Sequence, residues 1–138
     1  MSKNLVKSEL KNKIFFLELN NPQSQNTLSE KMIEELTENF KLASKNENIK
    51  VIILSSTGSV FCAGHNLKDL HSRRSDSDKG KNYYNKIFKS CSDLMLNIVY
   101  NPKPVIAAIN GVATAAGCQL IASCDLAYAS DKAKFATP

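Results

Sequence analysis

The sequence predicts an α/β fold in which short strands alternate with amphipathic helices. Three apolar runs bounded by turn residues are typical of strands, namely Ile14 to Leu19, Val51 to Leu54 and Val105 to Ile109. Two stretches between them repeat apolar residues at steps of three and four, which indicates helices. Strands that alternate with helices favour parallel βαβ units, and ligands of such folds bind where the strands end.

The two helices are predicted from their apolar faces. The first begins near Thr27, whose hydroxyl is placed to cap the N–H of Glu30 while the Glu30 side chain reaches back. The second ends before Pro102 and Pro104. The apolar faces consist of Met32, Ile33, Leu36, Phe40 and Ala43 in the first helix and of Tyr84, Ile87, Phe88, Cys91, Leu94, Met95 and Ile98 in the second.

The remaining segments are less regular. Leu5 to Leu10 predicts a weaker fourth strand, and Leu126 to Ala129 is also strand-like. The polar stretch Ser72 to Gly80 has no apolar residue to bury, so we expect a mobile surface loop there. Lys134 to Pro138 contains no capping helix, and we therefore expect that the chain stops within its fold.

Size and charge are those of one globular domain that binds anionic ligands. The 138 residues are 43% hydrophobic and 22% charged, without an internal repeat or a Pro- or Ser-rich linker. The net charge of +5 is spread along the chain and favours phosphate-bearing ligands. Because no aromatic-basic RNA motif and no zinc-finger spacing occur, we do not expect nucleic acid as a partner.

The cysteines and the N-terminal residues predict a location in the cell. Cys62, Cys91, Cys118 and Cys124 include no CxxC pair, which favours reduced thiols over disulfides or a metal site. The first ten residues contain scattered lysines and no apolar core of a signal peptide, and the longest apolar run is far too short to span a membrane. We therefore expect a cytoplasmic protein that does not bind membranes.

Two loops rich in small residues follow predicted strands. In the first, Ala63 and Gly64 precede Asn66, which is expected to cap a helix through the N–H of Lys68 or Asp69. The second, residues 110–119, precedes a helical pattern from Leu120 to Cys124. Two backbone N–H groups from such corners are able to stabilise one thioester oxygen as it gains negative charge. From spacing alone, tight turns and close helix packing explain the same residues.

Particular motifs in these loops resemble one family. Residues 61–67, Phe-Cys-Ala-Gly-His-Asn-Leu, resemble the FCAGxDL segment of the crotonase (enoyl-CoA hydratase/isomerase) superfamily, and residues 103–111 resemble its KPVIAAVNG strand. Cys124 to Leu126 and Ala133 to Pro138 continue the match. Residues 114–125 look most like the subgroup of enoyl-CoA hydratase domain-containing proteins.

This resemblance implies a fold and an assembly. The fold is the crotonase-like ββα superhelix of the ClpP/crotonase type, truncated before the C-terminal helices of the family. Residues 1–138 are then the N-terminal part of a single domain. Family members form trimers, often paired into hexamers, so we expect a homo-oligomer for the full-length form. No metal and no cofactor are implied, except coenzyme A as part of the substrate.

The resemblance also implies site residues. The oxyanion donors of the family would be the backbone N–H groups of Ala63 and Ala116. The coenzyme A would lie along residues 23–25 and 63–67. The residues assigned to coenzyme A are Gln23, Ser24, Gln25, Ala63, His65, Asn66 and Leu67.

Gln119 departs from the pattern, because the hydratases of the family carry a catalytic glutamate at this position. An amide orients water but does not serve as a base, since it does not titrate near neutral pH. The second glutamate would follow Pro138, where the sequence ends. We expect an acyl-CoA-binding lyase- or isomerase-type enzyme of fatty acid metabolism that stabilises a thioester enolate, with ordinary hydration weakened. A non-catalytic acyl-CoA-binding or regulatory protein and a purely structural module stay open.

Other polar residues near these motifs have simpler interpretations. His65 is a candidate general base or phosphate contact, but a solvent-facing residue at the mouth of the pocket is favoured because it lacks an orienting partner. Cys62 and His65 could be interpreted as a nucleophile and its base, but two residues three positions apart across a helix start need not face each other. His71, Arg73 and Arg74 are candidates for phosphate contacts, although a charged run more often forms a solvated face.

Overall fold

A computed structural model describes residues 4–138 as two β-sheets with helices packed beside them. Within residues 4–138, eight strands are interspersed with four α-helices. In order they are β1 (Val6–Lys11), β2 (Ile14–Leu19), α1 (Glu30–Lys45), β3 (Val51–Ser56), β4 (Val60–Cys62), α2 (Leu67–Ser72), α3 (Lys81–Val99), β5 (Val105–Ile109), β6 (Val112–Thr114), α4 (Ala116–Ala122), β7 (Leu126–Ala129) and β8 (Lys134–Ala136). In the described range no helix is long and apolar enough to cross a membrane.

The larger sheet has the strand order β1-β2-β3-β5-β7, and the smaller sheet has the order β4-β6-β8. Only β1 runs antiparallel to its neighbour within residues 4–138, while every other pair of neighbours is parallel. The parallel units predicted from the alternation of strands and helices are therefore confirmed. The weaker strand predicted at Leu5 to Leu10 is β1, which begins and ends one residue later.

Three consecutive segments each contribute one strand to each sheet, namely β3 with β4, β5 with β6, and β7 with β8. This repetition is not visible in the sequence because β4, β6 and β8 have three residues each, too few to show a period of two. Parallel pairing of β4 with β6, with Val60 opposite Val112, brings the chain segments that follow these strands to the same edge. This pairing positions the candidate site.

The core lies between the larger sheet and helices α1 and α3. Alternate residues of β2 and β3 are buried, including Leu17 and Leu54 at 0% exposure. All five residues of the predicted α1 face are buried, and burial of each of the side chains larger than alanine contributes about 1.5–3 kcal/mol relative to exposure. Strands β7 and β8, in contrast, leave apolar side chains exposed, among them Leu126, Tyr128 and Phe135.

Helix α1 begins later than predicted. Its N-cap is Ser29, whose hydroxyl accepts a hydrogen bond from the Met32 N–H at 3.3 Å. Thr27 is not the cap, and its Oγ1 atom is buried without a hydrogen-bond partner in the described chain. The prediction of Thr27 was wrong because Ser29, two residues on, has the extended backbone that a cap requires. Helix α3 begins at Lys81, before the predicted Tyr84.

The polar stretch from Ser72 to Gly80 lies largely at the surface, as expected, and its backbone is folded locally. A 3₁₀ turn spans Arg73–Ser75, and the Asp78 carboxylate accepts hydrogen bonds from the N–H groups of Gly80 and Asn82 at 2.9 Å each. These hydrogen bonds, chiefly the one from Asn82, lower the pKa of Asp78. The prediction considered only hydrophobic burial, whereas polar side chains here satisfy the backbone locally.

Candidate functional site

Two strand-to-helix corners meet at the edge of the smaller sheet. The first corner joins β4 to α2 through Gly64, and the second joins β6 to α4 through Ala115. A Cβ atom placed on Gly64 would lie 3.1 Å from the Cβ of Ala115 and 3.2 Å from the amide nitrogen of Ala116. Thr114 also ties the corners together, because its hydroxyl donates to the Ala63 carbonyl at 3.1 Å. The two loops therefore form one structural unit.

The first corner is capped as predicted. The Asn66 side chain accepts a hydrogen bond from the Lys68 N–H at 3.1 Å, so α2 begins at Leu67. Gly64 has a φ of +86°, a conformation that L side chains rarely adopt. Its carbonyl accepts a hydrogen bond from the Leu28 N–H at 2.8 Å, which ties the corner to the segment before α1.

The Ala63 N–H is already engaged, which corrects its assignment as an oxyanion donor. It donates a hydrogen bond to the Gln25 carbonyl at 3.1 Å. A donor that holds the backbone in this way is not available to a ligand. The N–H of His65, two residues on, has no hydrogen-bond acceptor among residues 4–138. The available donor at the first corner is therefore that of His65.

The second corner presents its own available N–H group. Ala115 adopts φ +51° and ψ −122°, and its N–H donates to the Ala136 carbonyl at 3.0 Å. The next N–H, that of Ala116, opens helix α4 and has no acceptor in the described part of the chain. Helix α4 thus begins at Ala116, four residues before the predicted Leu120, because apolar periodicity does not register its small first residues.

Gln119 lies in α4 one turn after Ala116, and residues three apart on a helix share a face. Its side chain is exposed, and its amide makes no hydrogen bond within residues 4–138. The backbone of Gln119 is engaged instead: its N–H donates to the Ala115 carbonyl at 3.3 Å, and its carbonyl accepts hydrogen bonds from the Ser123 N–H and hydroxyl. The amide is therefore available to orient a ligand or water beside the Ala116 N–H.

A cavity of about 410 Å³ adjoins the first corner. It brings together all seven residues that were assigned to coenzyme A. It does not include Ala116 or Gln119. Sequence reasoning missed Thr27 and Lys68 as lining residues, although Lys68 directly follows the matched motif and its charge was a usable signal. The cavity is lined by Gln23, Ser24, Gln25, Thr27, Ala63, His65, Asn66, Leu67 and Lys68.

His65 is half-buried, which differs from the solvent-facing residue that was favoured. Its ring stands edge-on to Phe88, with 5.0 Å between the ring centroids. Its Nδ1 atom is buried without a hydrogen-bond partner in the described chain. Burial lowers the pKa of His65, opposed by the nearby Leu28 backbone, so the imidazole is neutral at pH 7.

Cys62 does not have the properties of a nucleophile. It is 0% exposed in the core beneath the first corner. Burial raises the pKa of its thiol to about 12, so the reactive thiolate is absent at neutral pH. The spacing of Cys62 and His65 therefore carries no catalytic meaning. His71, Arg73 and Arg74 are exposed, as expected for a solvated face.

Comparisons with known proteins identify what this geometry resembles. A model of the enoyl-CoA hydratase/isomerase family matches residues 9–138. The mitochondrial enoyl-CoA hydratase domain-containing protein 3 of Xenopus laevis is 50% identical over 120 residues, which are 87% of this chain and 39% of that protein. The Danio rerio protein of the same name is 47% identical over 137 residues, 99% of this chain and 46% of that protein.

Solved structures agree with these relatives. The crystal structure of human enoyl coenzyme A hydratase domain-containing protein 3 matches with a TM-score of 0.89 and 43% identity, over 97% of this chain and 51% of that one. An enoyl-CoA hydratase of Mycobacterium smegmatis matches with a TM-score of 0.88 and 41% identity, over 96% of this chain and 50% of that one. The predicted crotonase-like fold is confirmed. The chain spans less than half the length of these curated relatives.

The expected location is contradicted by the same relatives. The proteins of Xenopus laevis, Danio rerio and Homo sapiens are all named as mitochondrial. The prediction of a cytoplasmic protein was therefore wrong. The prediction relied on the lack of a secretory signal peptide in the first ten residues, and this lack argues against secretion but not against import into an organelle.

Proposed function

Because the chain belongs to the enoyl-CoA hydratase/isomerase family, we propose that it binds an acyl-coenzyme A thioester where its two corners meet. The close approach of the two corners carries this proposal, since a Cβ placed on Gly64 would lie only 3.2 Å from the Ala116 amide nitrogen. Two available N–H groups on adjoining corners are suited to donate hydrogen bonds to one oxygen atom of a ligand. The coenzyme would occupy the 410 Å³ cavity that leads away from the first corner.

The proposed oxyanion donors are the backbone N–H groups of His65 and Ala116. When a thioester loses an α-proton or gains a nucleophile, negative charge develops on its carbonyl oxygen. Donors held by a folded backbone stabilise that charge without reorganising, which is why such sites accelerate enolate chemistry. The Gln25 carbonyl supports this arrangement by holding the Ala63 N–H and thereby the first corner.

The site has few side chains that are able to give or take a proton. Gln119, beside the proposed oxygen position, carries an amide that donates and accepts hydrogen bonds but does not exchange a proton near pH 7. His65 is neutral, and its Nδ1 atom is buried. A second candidate is therefore a non-catalytic acyl-CoA-binding or regulatory protein, which Gln119 favours. We further propose a mitochondrial location and assembly into a homo-oligomer.

Isothermal titration calorimetry with paired ligands tests the oxyanion site. Hexanoyl-CoA and its thioether analogue S-hexyl-CoA have the same chain, but the analogue lacks the carbonyl oxygen. We expect the thioester to bind about tenfold more tightly, since each hydrogen bond is worth about 0.5–1.5 kcal/mol. Equal dissociation constants would refute the oxyanion site, and binding of neither ligand would refute the function as a whole.

The role of Gln119 is tested by hydration of an enoyl-CoA. We expect no measurable hydration by the wild-type chain and detectable turnover by Gln119→Glu, because a carboxylate restores the general base. Ala122→Glu is the matched control, since it adds the same charge at an exposed position near the end of α4. Turnover by both variants, or by the wild type, would contradict the assigned role.

A further inference from the structure

A second cavity lies between α2 and α3, next to the proposed coenzyme cavity. Its volume is about 490 Å³, within the range of ligand sites in proteins. Leu67 lines both cavities, so the two are adjacent at the first corner. The second cavity is lined by Leu67, Leu70, His71, Arg74, Tyr84 and Phe88.

Most of this lining presents carbon atoms. The Tyr84 hydroxyl donates a hydrogen bond to the Leu70 carbonyl at 2.8 Å, so its polar atom already has a partner. Phe88 stands against the edge of His65, with 5.0 Å between the ring centroids, and therefore reaches from the cavity to the first corner. An alkyl chain that follows Leu67 and Phe88 would meet mainly carbon atoms.

Arg74 is the charged exception in this lining. Its side chain makes no ion pair, hydrogen bond or ring contact with any residue from 4 to 138. Its neighbour Arg73 differs, because it pairs with Asp76 at 4.0 Å and lies over the Tyr83 ring at 4.7 Å. None of the described lining residues is acidic, and His71 is the other titratable base. The cavity thus combines apolar walls with one available guanidinium group.

We propose that this cavity, here named the acyl groove, receives an acyl chain that ends in a carboxylate bound by Arg74. The substrate class is then the coenzyme A monothioesters of dicarboxylic acids. This inference rests on the proposed function, since it assigns the far end of the same thioester. A guanidinium group binds a carboxylate through two parallel hydrogen bonds, which gives direction as well as attraction.

A phosphate group of coenzyme A is another anion that Arg74 is able to bind. The apolar walls favour the acyl chain, since a nucleotide phosphate gains nothing from carbon surroundings. The two sources differ in a measurable way. If Arg74 binds a phosphate, it strengthens the binding of every coenzyme A ligand by the same factor. If it binds the acyl end, it strengthens the binding only of ligands that carry the terminal carboxylate.

The test is calorimetric titration of the chain with adipoyl-CoA, hexanoyl-CoA and free coenzyme A. The first two have six-carbon chains that differ in a terminal carboxylate. We expect adipoyl-CoA to bind about fivefold more tightly at low salt, the effect of an exposed but well-oriented ion pair. The preference should decline as salt is raised, because exposed charges are screened.

Three variants assign the preference to one side chain. Arg74→Gln is expected to abolish it and to leave the dissociation constant of hexanoyl-CoA within about twofold, because only one exposed ion pair is lost. Arg74→Lys should retain part of the preference. Arg73→Gln is the matched control, since the same change one residue away removes a charge that does not line the groove.

Each contrary result has a distinct meaning. Equal binding of adipoyl-CoA and hexanoyl-CoA to the wild type would overturn the inference while leaving the proposed function intact. If Arg74→Gln weakens all three ligands by the same factor, the residue binds the coenzyme and the inference is wrong. If no thioester binds, the proposed function fails, and the assignment of the acyl groove fails with it.

Discussion

The two corners of the site solve the same backbone problem with different residues. Each follows a three-residue strand of the smaller sheet and leads into a short helix. The first corner uses Gly64 at φ +86°, and the second uses Ala115 at φ +51°. Helix α2 has the Asn66 side chain as its cap, whereas α4 has no side-chain cap. The first corner places a glycine at positive φ and has a side-chain cap, whereas the second places an alanine at positive φ, which is strained, and lacks such a cap.

The comparison shows that Gly64, which has no side chain, allows the two corners to approach each other closely. The space that a Cβ of Gly64 would need is taken by the Ala115 Cβ, at 3.1 Å. An alanine at the second corner therefore favours a glycine at the first. Alanine at positive φ costs about 1–3 kcal/mol, which the surrounding structure must offset. This strain is located beside the available Ala116 N–H, as is common at functional sites.

The strongest way to break the arrangement is Gly117→Ala. The new Cβ would lie 2.1 Å from the Cys62 carbonyl oxygen, so α4 must move away from β4 and the corners must separate. We expect the free energy of unfolding in urea to fall by about 3 kcal/mol, together with loss of acyl-CoA binding. Ala122→Ser, on the exposed end of α4, should change stability little. Unchanged stability of Gly117→Ala would show that the two corners are not closely packed.

Exchange of the corner residues sharpens the comparison. Ala115→Gly should raise the free energy of unfolding by about 1 kcal/mol, because relief of strain exceeds the added entropy of the unfolded chain. Gly64→Ala should lower it by at least as much, since this alanine has a positive φ and a close neighbour. Equilibrium urea denaturation measures both. A loss of stability in Ala115→Gly would mean that Ala115 is not strained.

The smallest effect is expected from the cap of the first corner. Asn66→Ala removes the acceptor for the Lys68 N–H and should lower the free energy of unfolding by about 0.5 kcal/mol, at the lower end of cap effects because α2 is short. Asn66→Asp supplies an equivalent acceptor and should retain wild-type stability. If both variants are equally destabilised, the amide group acts through some contact other than the cap.

Much of the fold was readable from local patterns. The apolar runs located β2, β3 and β5, and the three-to-four spacing located the buried faces of α1 and of most of α3. Phe88 departs from its predicted face and is 49% exposed, in contact with His65. The short strands β4, β6 and β8 were not predicted from periodicity, because three residues show little alternation. Their pairing depends on partners that are distant in sequence.

The sequence by itself determined the family, the parallel architecture and the neighbourhood of the site, because apolar periodicity and the small-residue motifs are local properties. Only the tertiary structure decided which N–H groups are available. The Ala63 N–H is held by the Gln25 carbonyl, while those of His65 and Ala116 have no acceptor among residues 4–138. Whether a backbone donor is free depends on an acceptor from another segment of the chain, and no local pattern contains that information.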